Sequence, residues 1–383
     1  MTETLALVES PAQLLNVLEW AHVHPGEASS LSIAILQPTD RHSREQVRRL
    51  CKFASQAKLV WRRYEVRSGS VSRARTLLRL GRSVSNAGRL VIGDLFSRTV
   101  QALLPFSKAH EVVVVDDGTA TTELVTLLTQ GQQLSRWHQG DTSKKADGKG
   151  SSVGRWLARD TLERFTLFTC MPVAPPPGAV VVPNEYRWIR DTFGPVQVRG
   201  GADLAGTSLV ETGIIDQHRY LEAITWIARS RGAWRYLAHR RESPEKLREI
   251  ADATGMEIVH PELPMEVMAR VEPIGHTVLT FASTIAYTLP IVLQGSPVRV
   301  ELCEIDDAWI TEGTAARSVD FLRKISSLAV DRHGLSKVPP QSRGARPPLH
   351  LPGPPAPPAH PGAPHMLPGI PGQHSPYGSR EAY

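Results

Sequence analysis

Short apolar, β-branched runs alternate with stretches of helical periodicity along most of this chain, and that alternation narrows its possible folds more than any other feature. Runs at 5–8, 31–36, near Leu59, 90–92 and 111–115 read as buried strands, and helical stretches at 12–20, 43–54 and 72–80 separate them. Strands that are apolar on both faces and joined by helices do not pair as hairpins; they form a parallel sheet covered on each side. The second half repeats the scheme: helix 216–229, strand 234–238, helix 244–253, strand 256–259, then strands at 278–281, 291–294 and 298–302 and a closing helix at 314–328. The expected class is therefore α/β, with two Rossmann-like, doubly wound domains facing across a cleft. The first covers 1–200 and the second 201–336, the change of domain falling near 196–205.

Three stretches interrupt the pattern. The polar, Gly- and Lys-rich segment 140–152 reads as a surface loop, serving either as an interdomain linker or as a loop beside an acceptor site. A helix is expected at 154–168 and an extended, Pro-rich connection at 172–183. From 337 to 383 proline recurs without apolar periodicity, so this tail cannot bury enough surface to offset chain entropy and is expected to be disordered; its polyproline character suits a proline-motif partner.

Composition excludes several classes. With 383 residues, 41% hydrophobic and 21% charged, the chain can build two real cores. Cys51, Cys170 and Cys303 are odd in number and far apart, which argues against a disulfide framework and a zinc site and for a reduced, cytoplasmic setting. The amino terminus lacks a signal-peptide pattern, and no run reaches the roughly 18–20 apolar residues needed to span a bilayer. The net charge of +6 is scattered among acids. That excess suits an anionic ligand or peripheral association with the inner membrane face, without a basic stripe for nucleic acid.

Three short motifs fall just after apolar runs, where open α/β sheets present residues to ligands. Asp116-Asp117-Gly118 follows 111–115; one aspartate must face the cleft, where it can take a proton from a hydroxyl, although Asp and Gly are also ordinary turn and cap residues. His239 follows 234–238 and precedes Ser243-Pro244, a helix cap and first turn; the imidazole can donate to a phosphate or merely to a loop carbonyl. Ser283-Thr284 precedes a short helix, 285–288, halted at Pro290. Hydroxyls beside a helix N-terminus suit a phosphate, and they also cap almost any helix. His260 is a rival imidazole, and Glu262 and Glu266 flank Pro264 in a loop where one of them faces a ligand.

Together these residues resemble the bacterial sialyltransferases and polysialyltransferases, whose marks are an acidic-Asp-Gly motif, a histidine motif and a Ser-Ser or Ser-Thr motif. Val8-Glu9-Ser10-Pro11-Ala12-Gln13-Leu14-Leu15, Gly206-Thr207-Ser208-Leu209-Val210-Glu211 and Tyr236-Leu237-Ala238-His239-Arg240-Arg241-Glu242 are similar to segments of that family, the last in its lipooligosaccharide and polysialic branches. The resemblance implies a GT-B fold and inverting, metal-independent transfer of an acidic sugar from a CMP-activated donor to a glycan or polysaccharide hydroxyl, with no cofactor. It implies Asp117 as general base, His239 on the leaving phosphate, Ser283 and Thr284 binding that phosphate, and Glu266 on the cytidine ribose. Asp116, Gly118, Arg240 and Glu262 are secondary candidates. Arg240 stands where many relatives have proline, which bears on donor identity. Two other readings are a GT-B enzyme for another nucleotide sugar, an epimerase included, and a non-catalytic sugar-binding scaffold.

Overall fold

The computed structural model describes residues 2–66, 70–116, 118–134, 136 and 152–340. The first sheet contains β1 (Thr4–Val8), β2 (Leu31–Leu36), β3 (Val60–Tyr64), β4 (Arg89–Ile92), β5 (Glu111–Val115), β6 (Arg164–Thr169) and β7 (Ala179–Pro183). The second contains β8 (Val198–Ala205), β9 (Ala233–Leu237), β10 (Glu257–Val259), β11 (Ile274–Thr280), β12 (Arg299–Cys303) and β13 (Ser336–Val338). Every pairing is parallel, in the orders β3-β2-β1-β4-β5-β6-β7 and β10-β9-β8-β11-β12-β13. Each sheet thus begins in its middle, runs to one edge, crosses back and runs to the other, which is the doubly wound Rossmann order. Two such units make the α/β, GT-B-type architecture.

Local chemistry starts and stops the crossover helices. Ser10, Asp40, Asp216 and Ser243 each accept a backbone N–H in the first turn of the helix they cap, and Gly232, Gly255 and Gly334 end helices in the left-handed region. Val113, Leu167, Leu204 and Leu279 are buried within their strands, and one apolar cluster runs from the first unit into the second.

The structure corrects four expectations. The helix expected over 154–168 ends at Leu157, and Phe165, Leu167 and Phe168 form the buried strand β6 between β5 and β7. Aromatic and β-branched side chains in an apolar run fit a strand as well as a helix, and the vacant place beside β5 decides it. The extended connection contains the paired strand β7. The helix Ile285–Val292 continues through Pro290, so 291–294 is not a strand: full burial of Leu289 and Val292 outweighs one lost hydrogen bond. The second sheet also takes in Lys337 and Val338, beyond the expected boundary at 336, because Val338 is buried against β12. The rest of the tail from 341 on, and 140–151 of the expected loop, lie outside the described residues.

The carboxyl edges of the two sheets face each other. Gln46 donates to the carbonyls of Pro261 and Leu263, Arg49 pairs with Glu262 at 2.7 Å, and Arg317 pairs with Glu123. Near the crossing between units sits the short helix Arg187–Thr192. Glu19 of the first unit accepts from the Trp188 and Ile189 N–H groups at 2.7 and 3.0 Å, while Arg270 of the second unit donates to the carbonyls of Phe193 and Arg190. Glu19 is fully buried, and desolvation raises its carboxyl to about 7 despite those two hydrogen bonds.

Candidate functional site

Beyond β5, Gly118 and Thr119 meet the second unit. Asp116 points the other way. Its carboxylate is 1% exposed and accepts from the Thr169 hydroxyl and the Cys170 N–H, and burial raises its pKa against those bonds. Asn16 holds its carbonyl at 3.0 Å. Asp116 is therefore committed to fastening β5 to the end of β6. Asp117 lies outside the described residues.

Gly118 has φ +68, and a Cβ built on it would overlap the Thr284 hydroxyl of the second unit. The next residue, Thr119, donates its N–H to Thr284 Oγ1 at 3.2 Å. Glycine is required here on two grounds: backbone conformation and the close approach of the other unit. The acidic turn and the Ser-Thr pair, 165 residues apart in sequence, touch directly.

Ser283-Thr284 follows β11, beside the point where the second sheet's strand order reverses. Neither hydroxyl caps the following helix: Thr284 faces Thr119, and Ser283 lies 3.2 Å from the Thr280 hydroxyl. The positive end of that eight-residue helix is thus free of a side-chain cap.

His239 follows β9, which is two strands from β11, so the two motif-bearing edges are separated by about 10 Å. The ring is half-buried. Its Nδ1 accepts the Arg241 N–H at 3.2 Å, which places the proton of the neutral ring on Nε2. Desolvation, followed by the charges of Arg240, Arg241, Lys246 and His42, lowers its pKa to about 3. His239 is consequently a neutral hydrogen-bond donor at physiological pH, not an imidazolium. Two first-unit residues reach this loop. Burial of Asp40 opposes its ionisation, but hydrogen bonds from Ser43 and the charge of Arg240 outweigh it and hold the carboxyl below the usual range. His42 is the second. Nothing in the local sequence marked either, because docking of the units alone brings them to His239.

Under the His239 loop lies a buried polar network. Glu242 accepts the His239 N–H at 2.6 Å and the Tyr236 hydroxyl at 2.5 Å, and pairs with Lys246 at 2.8 Å. Lys246 also reaches the Thr207 carbonyl and Glu211, and Glu211 accepts the Ser243 N–H. The Tyr220 and Tyr236 hydroxyls meet at 2.8 Å, and a side chain on Gly206 would overlap Glu242 and Tyr236. The conspicuous strings 206–211 and 236–242 thus form one bonded platform beneath the imidazole.

Glu266 stands in the first turn of the helix Met265–Val271, is 8% exposed and accepts the Thr288 hydroxyl at 2.7 Å; burial raises its pKa against that bond. Glu262 is exposed, its carboxylate paired with Arg49 across the unit boundary. His260 is exposed at the end of β10.

No family model and no curated protein matches this chain. Among solved structures it is similar to the α/β-galactoside α-2,3-sialyltransferase of Photobacterium phosphoreum, at 11% identity and TM-score 0.48, over 88% of this chain and 99% of that one. The GT-B domain of a Photobacterium damselae sialyltransferase gives 12%, 0.47, 86% and 97% in the same order. The UDP-GlcNAc 2-epimerase of Neisseria meningitidis gives 10%, 0.43, 85% and 94%. At such identities and scores these likenesses assign no reaction to this chain.

Proposed function

We propose that this protein is a glycosyltransferase that moves sialic acid, or a related acidic sugar, from a CMP-activated donor to a glycan hydroxyl with inversion. The observation that carries the reading is the contact of Gly118 and Thr119 with Thr284, which brings an acidic turn of one unit against a hydroxyl pair of the other, with His239 on the same carboxyl edge. In this reading Asp117 takes the proton of the acceptor hydroxyl, since Asp116 is consumed by Thr169 and Cys170. The acceptor oxygen forms the new bond at the anomeric carbon as the bond from that carbon to the phosphate oxygen breaks. CMP departs as a phosphate monoester. Its growing charge is met by Nε2–H of His239, by Ser283 and Thr284, and by the helix end behind them. Glu266 holds the ribose.

The test is release of CMP from CMP-sialic acid by the wild type and by Asp117→Ala and His239→Ala. The expected outcome is a loss on the order of 10²–10⁴ in each variant; equal rates in all three proteins overturn the assignment. Thermal-shift titration separates the donor classes, because a cytidine pocket responds to CMP and not to UDP or GDP.

A further inference from the structure

A crevice separates the units on the side of β6 and β7. It encloses about 560 Å³, and none of the motif residues lines it. Thr169, Asn184 and Arg190 come from the first unit, and Ile291, Gln294 and Arg332 from the second. The size falls within the range of small-molecule sites, which favour domain boundaries.

Its charge is unbalanced. Among the described residues neither Arg190 nor Arg332 forms a salt bridge, and the one carboxylate in the lining, Glu185, is paired with Arg187 at 2.6 Å. Behind Arg190, Arg270 spends its terminal nitrogens on backbone carbonyls, and its buried Nε has no partner. Burial, then the charge of Arg190, lowers the Arg270 pKa, so the two guanidinium groups sense each other. Met171, Pro172 and Val173 supply an apolar wall. Two arginines from different units, neither in a salt bridge, in a half-enclosed space with one apolar side suit an oxyanion attached to an apolar body.

We infer that this crevice is a binding site for a small phosphorylated or carboxylated molecule with an apolar body, whose oxyanion is gripped by Arg190 from one unit and Arg332 from the other. A ligand held in this way ties the two units together and thereby couples to the contact of Gly118 and Thr119 with Thr284. The inference does not depend on which reaction the motifs perform.

Isothermal titration of the full chain with phenyl phosphate, and separately with inorganic phosphate at matched ionic strength, tests it. The expected result is saturable binding of phenyl phosphate, on the order of tenfold tighter than phosphate because the ring covers the apolar wall. Arg332→Ala, on an exposed helix end that tolerates truncation, and Arg190→Ala should each weaken it about tenfold, while Ser283→Ala leaves it unchanged. Absence of saturable binding, equal affinity in Arg332→Ala and wild type, or loss of binding in Ser283→Ala alone overturns the proposal, the last placing the anion at the hydroxyl pair.

Discussion

Gly118 and Thr284 sit in different units, yet the space a side chain would need on the first is filled by the hydroxyl of the second. The contact makes the acidic turn and the hydroxyl pair one structural object.

Gly118→Ala should therefore strain a left-handed residue and press on Thr284 at once, costing about 2 kcal/mol or more. Thr284→Ala removes the obstructing hydroxyl. The double variant should recover part of the loss, and a double-mutant cycle by denaturant unfolding should give a coupling above about 0.5 kcal/mol. Strict additivity would mean that the turn does not press on Thr284.

The depressed pKa of His239 fixes a sign. A histidine held below its unfolded value stabilises the fold only while neutral, so its contribution is complete above pH 6.5 and drains away as pH falls from there toward 3. NMR of the ring should show the Nε2–H tautomer throughout pH 5–8, and His239→Asn should reduce the acid sensitivity of the melting temperature. An imidazole titrating near 6.5 would contradict the environment described for it.

Glu19 has the opposite sign. Its folded value of about 7 lies above 4.5, so the folded protein binds a proton more tightly, and stability falls as pH rises from 4.5 to 7. The size is about 3 kcal/mol. Glu19→Gln should flatten that slope, although one helix N–H then loses its acceptor; urea midpoints measured from pH 5 to 8 give the comparison.

Glu242→Ala leaves Lys246, which is 2% exposed, with only part of its counter-charge and should cost about 3 kcal/mol. Adding Lys246→Met removes the stranded cation and should restore much of the stability. CMP release should stay low in the restored protein, because the His239 N–H has still lost its anchor. Full recovery of the rate would reduce Glu242 to a purely structural part.

Most strands and the positions of all three motifs were legible in the sequence, because apolar β-branched runs and capping residues such as Ser243-Pro244 report local structure directly. Phe165 to Phe168 misled as a helix since nothing local shows that β5 needs a further neighbour. Pro290 suggested a stop that burial of Val292 overrides. Of the two aspartates, only the structure commits Asp116, through partners more than 50 residues away. The meeting of Asp40 and His42 with Arg240 and His239 was invisible for the same reason: contacts between units leave no periodicity in a chain.

The short helix Arg187–Thr192 is fastened at its beginning by Glu19 and at its end by Arg270, immediately before the polypeptide passes between lobes. Tethered from both sides, it takes its place from both lobes at once. At Gln46 and Arg49, by contrast, the grip of one lobe on the other consists of side-chain bonds alone, so a substitution there loosens the pair without disturbing the backbone of the crossing.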